Sequence, residues 1–247
     1  MIYLFGDTHG TLEINRLSNA NLKRLGVCPL PGEGDFVIIA GDFGLIWRDA
    51  PDNEERFWMK WLDDKPYETL FVDGNHENFP RIASYPEEEW HGGRVHRIGA
   101  KVRHLMRGQV YDIDGMSVLA FGGATSHDRQ FRQEGLSGWP EELPSEDDFT
   151  CAEQSLSRRG WEVDLVVSHC APTLVQGRLD PTFLPDRATE WLELLRDRLS
   201  FRAWFFGHYH LDRTFYDGFY ALYDNVAAVD AQGVHLFSED GAKRFDF

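Results

Sequence analysis

Five short segments of the chain combine Asp, His and Asn at spacings that suit metal binding. They are Gly6-Asp7-Thr8-His9, Gly41-Asp42, Gly74-Asn75-His76-Glu77, Ser168-His169 and Gly207-His208-Tyr209-His210. Carboxylate, imidazole and amide-oxygen groups in this number exceed what one tetrahedral zinc needs and suit two divalent ions. We expect Asp7 to lie beside His9, and His208 beside His210, because alternate residues of an extended segment point the same way.

An apolar run directly precedes each of these segments, and each run is typical of a buried strand. The runs cover residues 2–5, 36–40, 69–72, 165–167 and 204–206. Helical patterns lie between several of them, from Ile14 to Leu25, from Asn53 to Asp64 and around Ala188 to Leu199. Strands that alternate with helices indicate a parallel sheet, and the carboxyl ends of such strands share one edge. The polar segments are therefore expected to converge there.

The middle of the chain follows a different pattern. Residues 110–121 contain two β-prone halves joined by Asp114-Gly115, a pair preferred in tight hairpin turns. We place this hairpin in a second, mostly antiparallel sheet. Residues 124–145 lack periodicity and are predicted to form a surface loop or lid. The domain prediction is one domain over residues 1–247 with this insertion.

In order and content, the five segments resemble the signature of the calcineurin-like metallophosphoesterase family. That signature is Asp-x-His, Gly-Asp, Gly-Asn-His-Asp/Glu, a lone His after a strand, and Gly-His-x-His; here it spans Gly6 to His210. The resemblance implies an α/β fold of four layers, an α/β/β/α sandwich with two central mixed sheets flanked by helices. It also implies a dinuclear metal site at the carboxyl edge of the sheets.

The resemblance assigns roles to individual residues. One ion would be held by Asp7, His9, Asp42 and His210, and the other by Asp42, Asn75, His169 and His208. His76 would be the catalytic residue that contacts the phosphate and assists the leaving oxygen, and Glu77 would orient an imidazole from behind. The cofactors are expected to be two divalent transition-metal ions, with manganese favoured and iron, zinc, nickel or cobalt as alternatives.

Four further residues are candidates for binding the substrate. Arg48 could donate to a phosphate, although a salt bridge with Asp49 or Asp52 explains it equally well. The other three, His127, Arg129 and Arg132, lie in the predicted loop, where local packing is the alternative role. His96 and His104 have no partner that the sequence identifies.

Composition limits the classes of partner. The chain has 25 Lys and Arg against 41 Asp and Glu, a formal charge of −16 that disfavours long nucleic acids as partners. Its three cysteines form no CxxC pair, so neither a disulfide framework nor a zinc ribbon is expected. No apolar run reaches the ~18 residues that a membrane span needs, and the first residues lead into a strand. We expect a cytoplasmic protein with no membrane partner.

The resemblance implies a phosphoric-ester hydrolase, either a phosphomonoesterase or a phosphodiesterase. A metal-bridging hydroxide would attack phosphorus in line, on a small phosphorylated substrate. The segment Gly41-Asp-Phe-Gly-Leu-Ile-Trp47 lacks the Gly-Asp-x-Val-Asp-Arg-Gly of serine/threonine protein phosphatases, which disfavours that subgroup. The alternative is a non-catalytic, protein-binding scaffold with the same fold. The sequence predicts no oligomeric state.

Overall fold

Two β-sheets and six α-helices make up the part of the protein that a computed structural model describes, residues 1–126, 133, 135 and 138–247. The strands are β1 (Ile2–Phe5), β2 (Phe36–Ala40), β3 (Glu68–Val72), β4 (Glu87–Trp90), β5 (Gly93–Arg97), β6 (Val102–Leu105), β7 (Gln109–Ile113), β8 (Met116–Phe121), β9 (Leu165–Ser168), β10 (Ala203–Phe206), β11 (Arg213–Thr214), β12 (Phe219–Ala221), β13 (Val226–Asp230), β14 (Gly233–Ser238) and β15 (Gly241–Asp246). The helices are α1 (Asn19–Arg24), α2 (Asn53–Asp63), α3 (Phe79–Ala83), α4 (Glu146–Arg158), α5 (Thr173–Leu179) and α6 (Arg187–Arg196).

The first sheet has nine strands in the order β15-β14-β13-β1-β2-β3-β6-β5-β4. Its central strands β1, β2, β3 and β6 are parallel, and antiparallel strands extend it on both sides. In register, Leu4 pairs with Ile38, and Ile38 with Leu70. Strands β1, β2 and β3 therefore end side by side, as the alternation of strands and helices predicted.

The second sheet has six strands in the order β11-β12-β10-β9-β8-β7. The β7–β8 hairpin turns at Asp114-Gly115, as predicted. The prediction of a mostly antiparallel sheet is wrong, because β8, β9, β10 and β12 are parallel neighbours and only the two edge pairs are antiparallel. The chain passes from β8 to β9 through α4, and from β9 to β10 through α5 and α6. Each of these crossovers returns the chain to the same end of the sheet, which makes the strands parallel.

Three apolar clusters separate the layers. The cluster between the sheets includes Leu4, Ile38 and Leu70 from the first sheet, and Val167 and Phe205 from the second. The outer face of the first sheet packs against α1, α2 and α3, and the outer face of the second packs against α4, α5 and α6. This arrangement of helices, two mixed sheets and helices confirms the predicted four-layer α/β/β/α sandwich.

Two helix predictions differ in detail from the structure. The segment predicted as one helix from Ile14 begins with short 3₁₀ turns, and α1 starts only after Ser18, whose side chain accepts from the Asn21 amide. The helix predicted from Asn53 to Asp64 ends at Asp63, and of its apolar residues Leu62 is buried whereas Phe57 is 61% exposed. Among the described residues, no helix combines the length and apolar character required to cross a membrane.

Candidate metal centre

The predicted ligands lie at one edge of the sandwich, where strands of both sheets end. Asp7, Asp42 and Asn75 follow β1, β2 and β3 of the first sheet, and His169 and His208 follow β9 and β10 of the second. Five sequence segments that span two hundred positions therefore meet in space.

Distances between the side chains show how closely they approach. His210 Nε2 lies 3.1 Å from Asp7 Oδ2, and His9 Nε2 lies 3.5 Å from Asp42 Oδ2. Asp7, His9 and His210 each offer an atom that could bind a metal ion, and these atoms lie within 4.8 Å of one another, as do those of a second group, His9, Asp42 and His76. His76, which was predicted to be catalytic, therefore lies among the ligand atoms themselves.

The buried pair of His169 and Asn75 tests whether the site suits a cation. His169 Nδ1 lies 2.9 Å from the Ala40 carbonyl oxygen, which can only accept, so Nδ1 carries the proton of the neutral ring. Nε2 then presents a lone pair, yet it lies 3.0 Å from Asn75 Oδ1 and 3.4 Å from Asp42 Oδ1. Three electron-pair donors that face one another in a buried place fit a positive ion between them.

Left-handed backbone, rather than extended backbone, brings the ligands together. The φ angles are 43° at His9, 46° at Asp42, 69° at His208 and 49° at His210. We predicted that Asp7 lies beside His9, and His208 beside His210, because the segments are extended. They are not extended, so that reason is wrong, although His9 and His210 do reach the site. Positive φ is uncommon for residues with a side chain and concentrates at functional sites.

Two glycines allow the loops to come this close. A Cβ on Gly74 would lie 2.0 Å from Asp42 Oδ1, and one on Gly207 would lie 2.1 Å from Asp7 Oδ1. Both contacts are shorter than atoms tolerate, so a side chain at either position would displace a predicted ligand. The glycine in each of these two motifs thus has a packing reason.

Asp42 is the electrostatic centre of the group. Its side chain is buried, and Oδ1 accepts hydrogen bonds from the backbone amides of Asn75 and His76, both at 2.8 Å. Burial alone would raise the pKa of this carboxyl, but the positive charge that His169 and its neighbouring imidazoles carry when protonated, together with hydrogen bonds from His9 and from the His76 backbone amide, holds the pKa well below its usual range. Asp42 is therefore an anion at neutral pH.

A carboxylate that the sequence analysis missed holds His9. Glu13 Oε2 lies 3.0 Å from His9 Nδ1, and the Tyr223 hydroxyl donates to Glu13 Oε1 over 2.9 Å. The Tyr223 ring also stacks on His210, with centroids 4.8 Å apart. A carboxylate behind an imidazole fixes its tautomer and leaves Nε2 for a metal. The four-residue spacing from His9 to Glu13 is a sequence signal, but nothing in the sequence connects Tyr223 with them.

Glu77 does not have the predicted position behind an imidazole. Its buried carboxyl accepts hydrogen bonds from the backbone amides of Phe43, at 2.7 Å, and Gly44, at 3.2 Å. It therefore supports the loop that carries Asp42. Burial, together with the negative charge of Asp42, raises the pKa of Glu77 well above its ordinary value.

A recess of about 320 Å³ opens beside His9 and His76. Its walls include Leu12, Trp47 and Arg48. The Trp47 ring lies 5.8 Å from the His76 ring at 33°. Arg48 is exposed on the rim and forms a salt bridge of 2.8 Å with Asp52, the alternative that the sequence left open. The other substrate candidates, His127, Arg129 and Arg132, lie outside the described residues, as does much of the predicted lid.

The fold and the edge site define a class of protein, the α/β/β/α sandwiches that carry carboxylate and imidazole ligands on the loops after their central strands. A sequence model of the calcineurin-like phosphoesterase family matches residues 1–212. The chain belongs to that family, as its five motifs predicted, and family membership supports hydrolase activity and metal binding at the family level.

Solved structures and curated proteins add little beyond this. The chain is similar to a phosphopantetheinyl hydrolase (PptH) from Mycobacterium tuberculosis, with 17% identity over 90% of this chain and 87% of that one, at a TM-score of 0.39. It is also similar to a sulfate thiohydrolase (SoxB) from Thermus thermophilus, with 11% identity over 99% of this chain but 56% of that one, at a TM-score of 0.40. No curated protein matches the sequence. At such low TM-scores, neither similarity bears on the activity of this chain.

Proposed function

We propose that the protein is a dinuclear metal-dependent phosphoric-ester hydrolase, acting as a phosphomonoesterase or a phosphodiesterase. The observation that carries the proposal is the buried position of His169 Nε2, which lies 3.0 Å from Asn75 Oδ1 and 3.4 Å from Asp42 Oδ1, since a cation can satisfy the lone pairs of all three atoms. Asp7, His9 and His210 form a second group, and His9 Nε2 lies 3.5 Å from the other carboxylate oxygen of Asp42, Oδ2.

The ligand sets proposed for the two ions share Asp42. One set is Asp7, His9, Asp42 and His210, and the other is Asp42, Asn75, His169 and His208. When bound, two such ions polarise phosphoryl oxygens and lower the pKa of a coordinated water. The mixed nitrogen and oxygen donors suit manganese, which we favour, and also iron, zinc, nickel and cobalt.

His76 is proposed to act on the leaving oxygen. Its backbone amide is fixed by Asp42 Oδ1, and its ring lies between His9, at 5.4 Å between centroids, and Trp47. This places an imidazole at the junction of the ligand group and the recess, where an ester oxygen would leave. From there it can hold the phosphate and deliver a proton to the departing alkoxide, which typically contributes ~10²–10⁴-fold to the rate.

The substrate is proposed to be a small phosphorylated compound whose leaving group lies in the recess. A volume of about 320 Å³ suits a ring or a short chain. Leu12 is 81% exposed on its wall, and Trp47 offers a partly exposed ring face, so an apolar leaving group would bury surface there. The formal charge of −16 opposes long nucleic acids.

Hydrolysis of p-nitrophenyl phosphate and bis-p-nitrophenyl phosphate with added manganese tests the activity. We expect turnover on at least one ester, abolished by Asp42→Asn, with two ions per chain by elemental analysis. We also expect Trp47→Ala to raise KM for aryl esters about tenfold because the ring face is lost. Absence of turnover in the reconstituted wild type on both esters and on a broad phosphate panel would reject the hydrolase in favour of a scaffold.

A further inference from the structure

We infer that Ser126 and Glu142 form a positioning pair that determines which atom of the Asn75 amide faces the metal site. The inference rests on the proposed function, because it takes Asn75 to be a ligand. An Asn side chain ligates through its oxygen, whereas its NH₂ group repels a cation. The amide must therefore be held in one of its two orientations.

A short chain of hydrogen bonds connects the three side chains. Asn75 Nδ2 donates to Ser126 Oγ over 3.1 Å, and Ser126 Oγ donates to Glu142 Oε2 over 2.7 Å. All three residues are at most 4% exposed. In such a place, a polar group without a complementary partner is unfavourable, so the direction of each hydrogen bond matters.

The single hydroxyl proton of Ser126 is what makes the chain directional. A carboxylate only accepts, so the proton of Ser126 points to Glu142 and leaves the Ser126 oxygen as an acceptor. Only the NH₂ side of Asn75 can satisfy that acceptor. If the Asn75 amide rotated by half a turn, Oδ1 would face the Ser126 oxygen, whose only proton already points to Glu142. Two acceptors would then face each other. Asn75 Oδ1 is therefore directed at His169 Nε2, 3.0 Å away.

Backbone contacts fix the pair itself. Glu142 closes a 3₁₀ turn, Pro140–Glu142, and its carbonyl oxygen accepts from the Ala124 amide over 3.1 Å. Ser126 follows in the same segment, after β8. The segment after β8 and the turn at residues 140–142 are thus joined by both backbone and side chain, which makes the orientation of Asn75 depend on residues far from the signature motifs.

Glu142→Gln is the most informative variant. It keeps the shape of the side chain but replaces a carboxylate, which only accepts hydrogen bonds, by an amide that can also donate one. A Gln amide can donate to Ser126, which frees the Ser126 proton to satisfy a reversed Asn75. We expect Glu142→Gln to lower the affinity for one of the two manganese ions tenfold or more, in the range known for residues that support ligands. The matched control is Glu141→Gln, which removes the same charge from the exposed neighbour and should leave both affinities unchanged.

Asn75→Asp separates positioning from a general structural role. An Asp presents an oxygen in either orientation, so Glu142→Gln in the Asn75→Asp background should leave manganese affinity unchanged or raise it. A merely structural role for Glu142 would lower the affinity in both backgrounds. Affinities are measured by manganese titration of the metal-free full chain, with circular dichroism and melting as folding controls. If Glu142→Gln fails to fold, Ser126→Ala replaces it in the same cycle with the same expectations.

The outcomes distinguish this inference from the proposed function. A wild type that binds fewer than two ions after reconstitution overturns the dinuclear function itself. A wild type that binds two ions, together with an unchanged affinity in Glu142→Gln or equal losses in both backgrounds, overturns the positioning pair alone.

Discussion

His76 is the residue at which metal binding and catalysis can be told apart. It lies beside His9 and Asp42, close enough to be a ligand, although its proposed role is proton delivery. We expect His76→Asn to lower kcat by about 10²–10⁴-fold while two ions still bind. Turnover and metal content of the same preparation check this. Loss of one ion in parallel with activity would identify His76 as a ligand instead.

Glu13 gives a second prediction at the scale of a residue. Its carboxylate fixes the Nδ1–H tautomer of His9 and is held in turn by Tyr223. We expect Glu13→Gln to lower the affinity for one ion about tenfold. Tyr223→Phe should lower it less, because Glu13 then stays in place and loses only one hydrogen bond. Glu33→Gln, at an exposed acidic residue, is the charge control for the manganese titration. Equal affinities in Glu13→Gln and the control would exclude this role.

Some residues of this site could be placed from the sequence, and others could not. Asp7, Asp42 and Asn75 could be predicted to meet because each follows an apolar strand, and parallel strands end at one edge. Tyr223 could not, since its contact with Glu13 spans 210 positions and depends on where a loop after β12 crosses the site. Glu77 was assigned the wrong partner because adjacency in a motif says nothing about the direction of a side chain.

At the scale of elements, strands β5 and β6 place two buried histidines side by side. His96 and His104 are register partners, and their Nδ1 atoms lie 3.0 Å apart. His104 Nε2 lies 3.0 Å from Asp73 Oδ1, so it donates there and leaves Nδ1 as the acceptor. His96 must then donate, as a neutral ring does. The sequence showed no partner for either residue because strand register was not readable from it.

The burial of His96 leads to a prediction about acid stability. Burial lowers the pKa of His96 to about 4 in the folded protein. Between this value and the ordinary pKa of about 6.5, the unfolded chain binds more protons, so stability falls as pH falls through that window. His96→Gln keeps a donor toward His104 but cannot titrate. We expect wild type to lose about 1–2 kcal/mol more unfolding free energy than His96→Gln between pH 7 and 4.5.

Denaturant unfolding of metal-free protein at several pH values measures that difference. Metal-free samples are needed because acid also releases metal ions from imidazole ligands. Parallel pH profiles in the wild type and His96→Gln would show that folding does not lower the pKa of His96.

The second sheet shows why pairing direction was harder to predict than strand location. Strands β9 and β10 were located from their apolar runs, and the Asp114-Gly115 turn between two β-prone halves gave the β7–β8 hairpin. The hairpin suggested an antiparallel sheet, but α4 and the pair α5 and α6 are crossovers that make the interior parallel. Crossover handedness and packing of α4 on the sheet decide this, and neither is a local property of the sequence.

At the scale of the whole molecule, the proposed ions join the two sheets. Asp7, Asp42 and Asn75 come from the nine-stranded sheet, and His169 and His208 from the six-stranded sheet, while the interior between the sheets is apolar. Binding to the folded state alone stabilises a protein by ~2.7 kcal/mol when the ion is at 100 times its Kd. For a chain of this size, we expect removal of two ions, each bound at that level, to lower Tm by about 10–20 °C.

The positions at which chelation destabilises the protein show whether the ions connect the two sheets or stabilise only their own surroundings. If the ions join the sheets, chelation should speed amide exchange in both sheets together, at the carboxyl ends of β1, β2, β9 and β10. The reason is that strand ends of both sheets lose their contacts with the same ions. In Asp42→Asn, chelation should change neither Tm nor exchange, since the residue proposed to be shared by both ions is gone. Faster exchange in one sheet only, or an undiminished shift of Tm in Asp42→Asn, would mean that the ions do not join the sheets through Asp42.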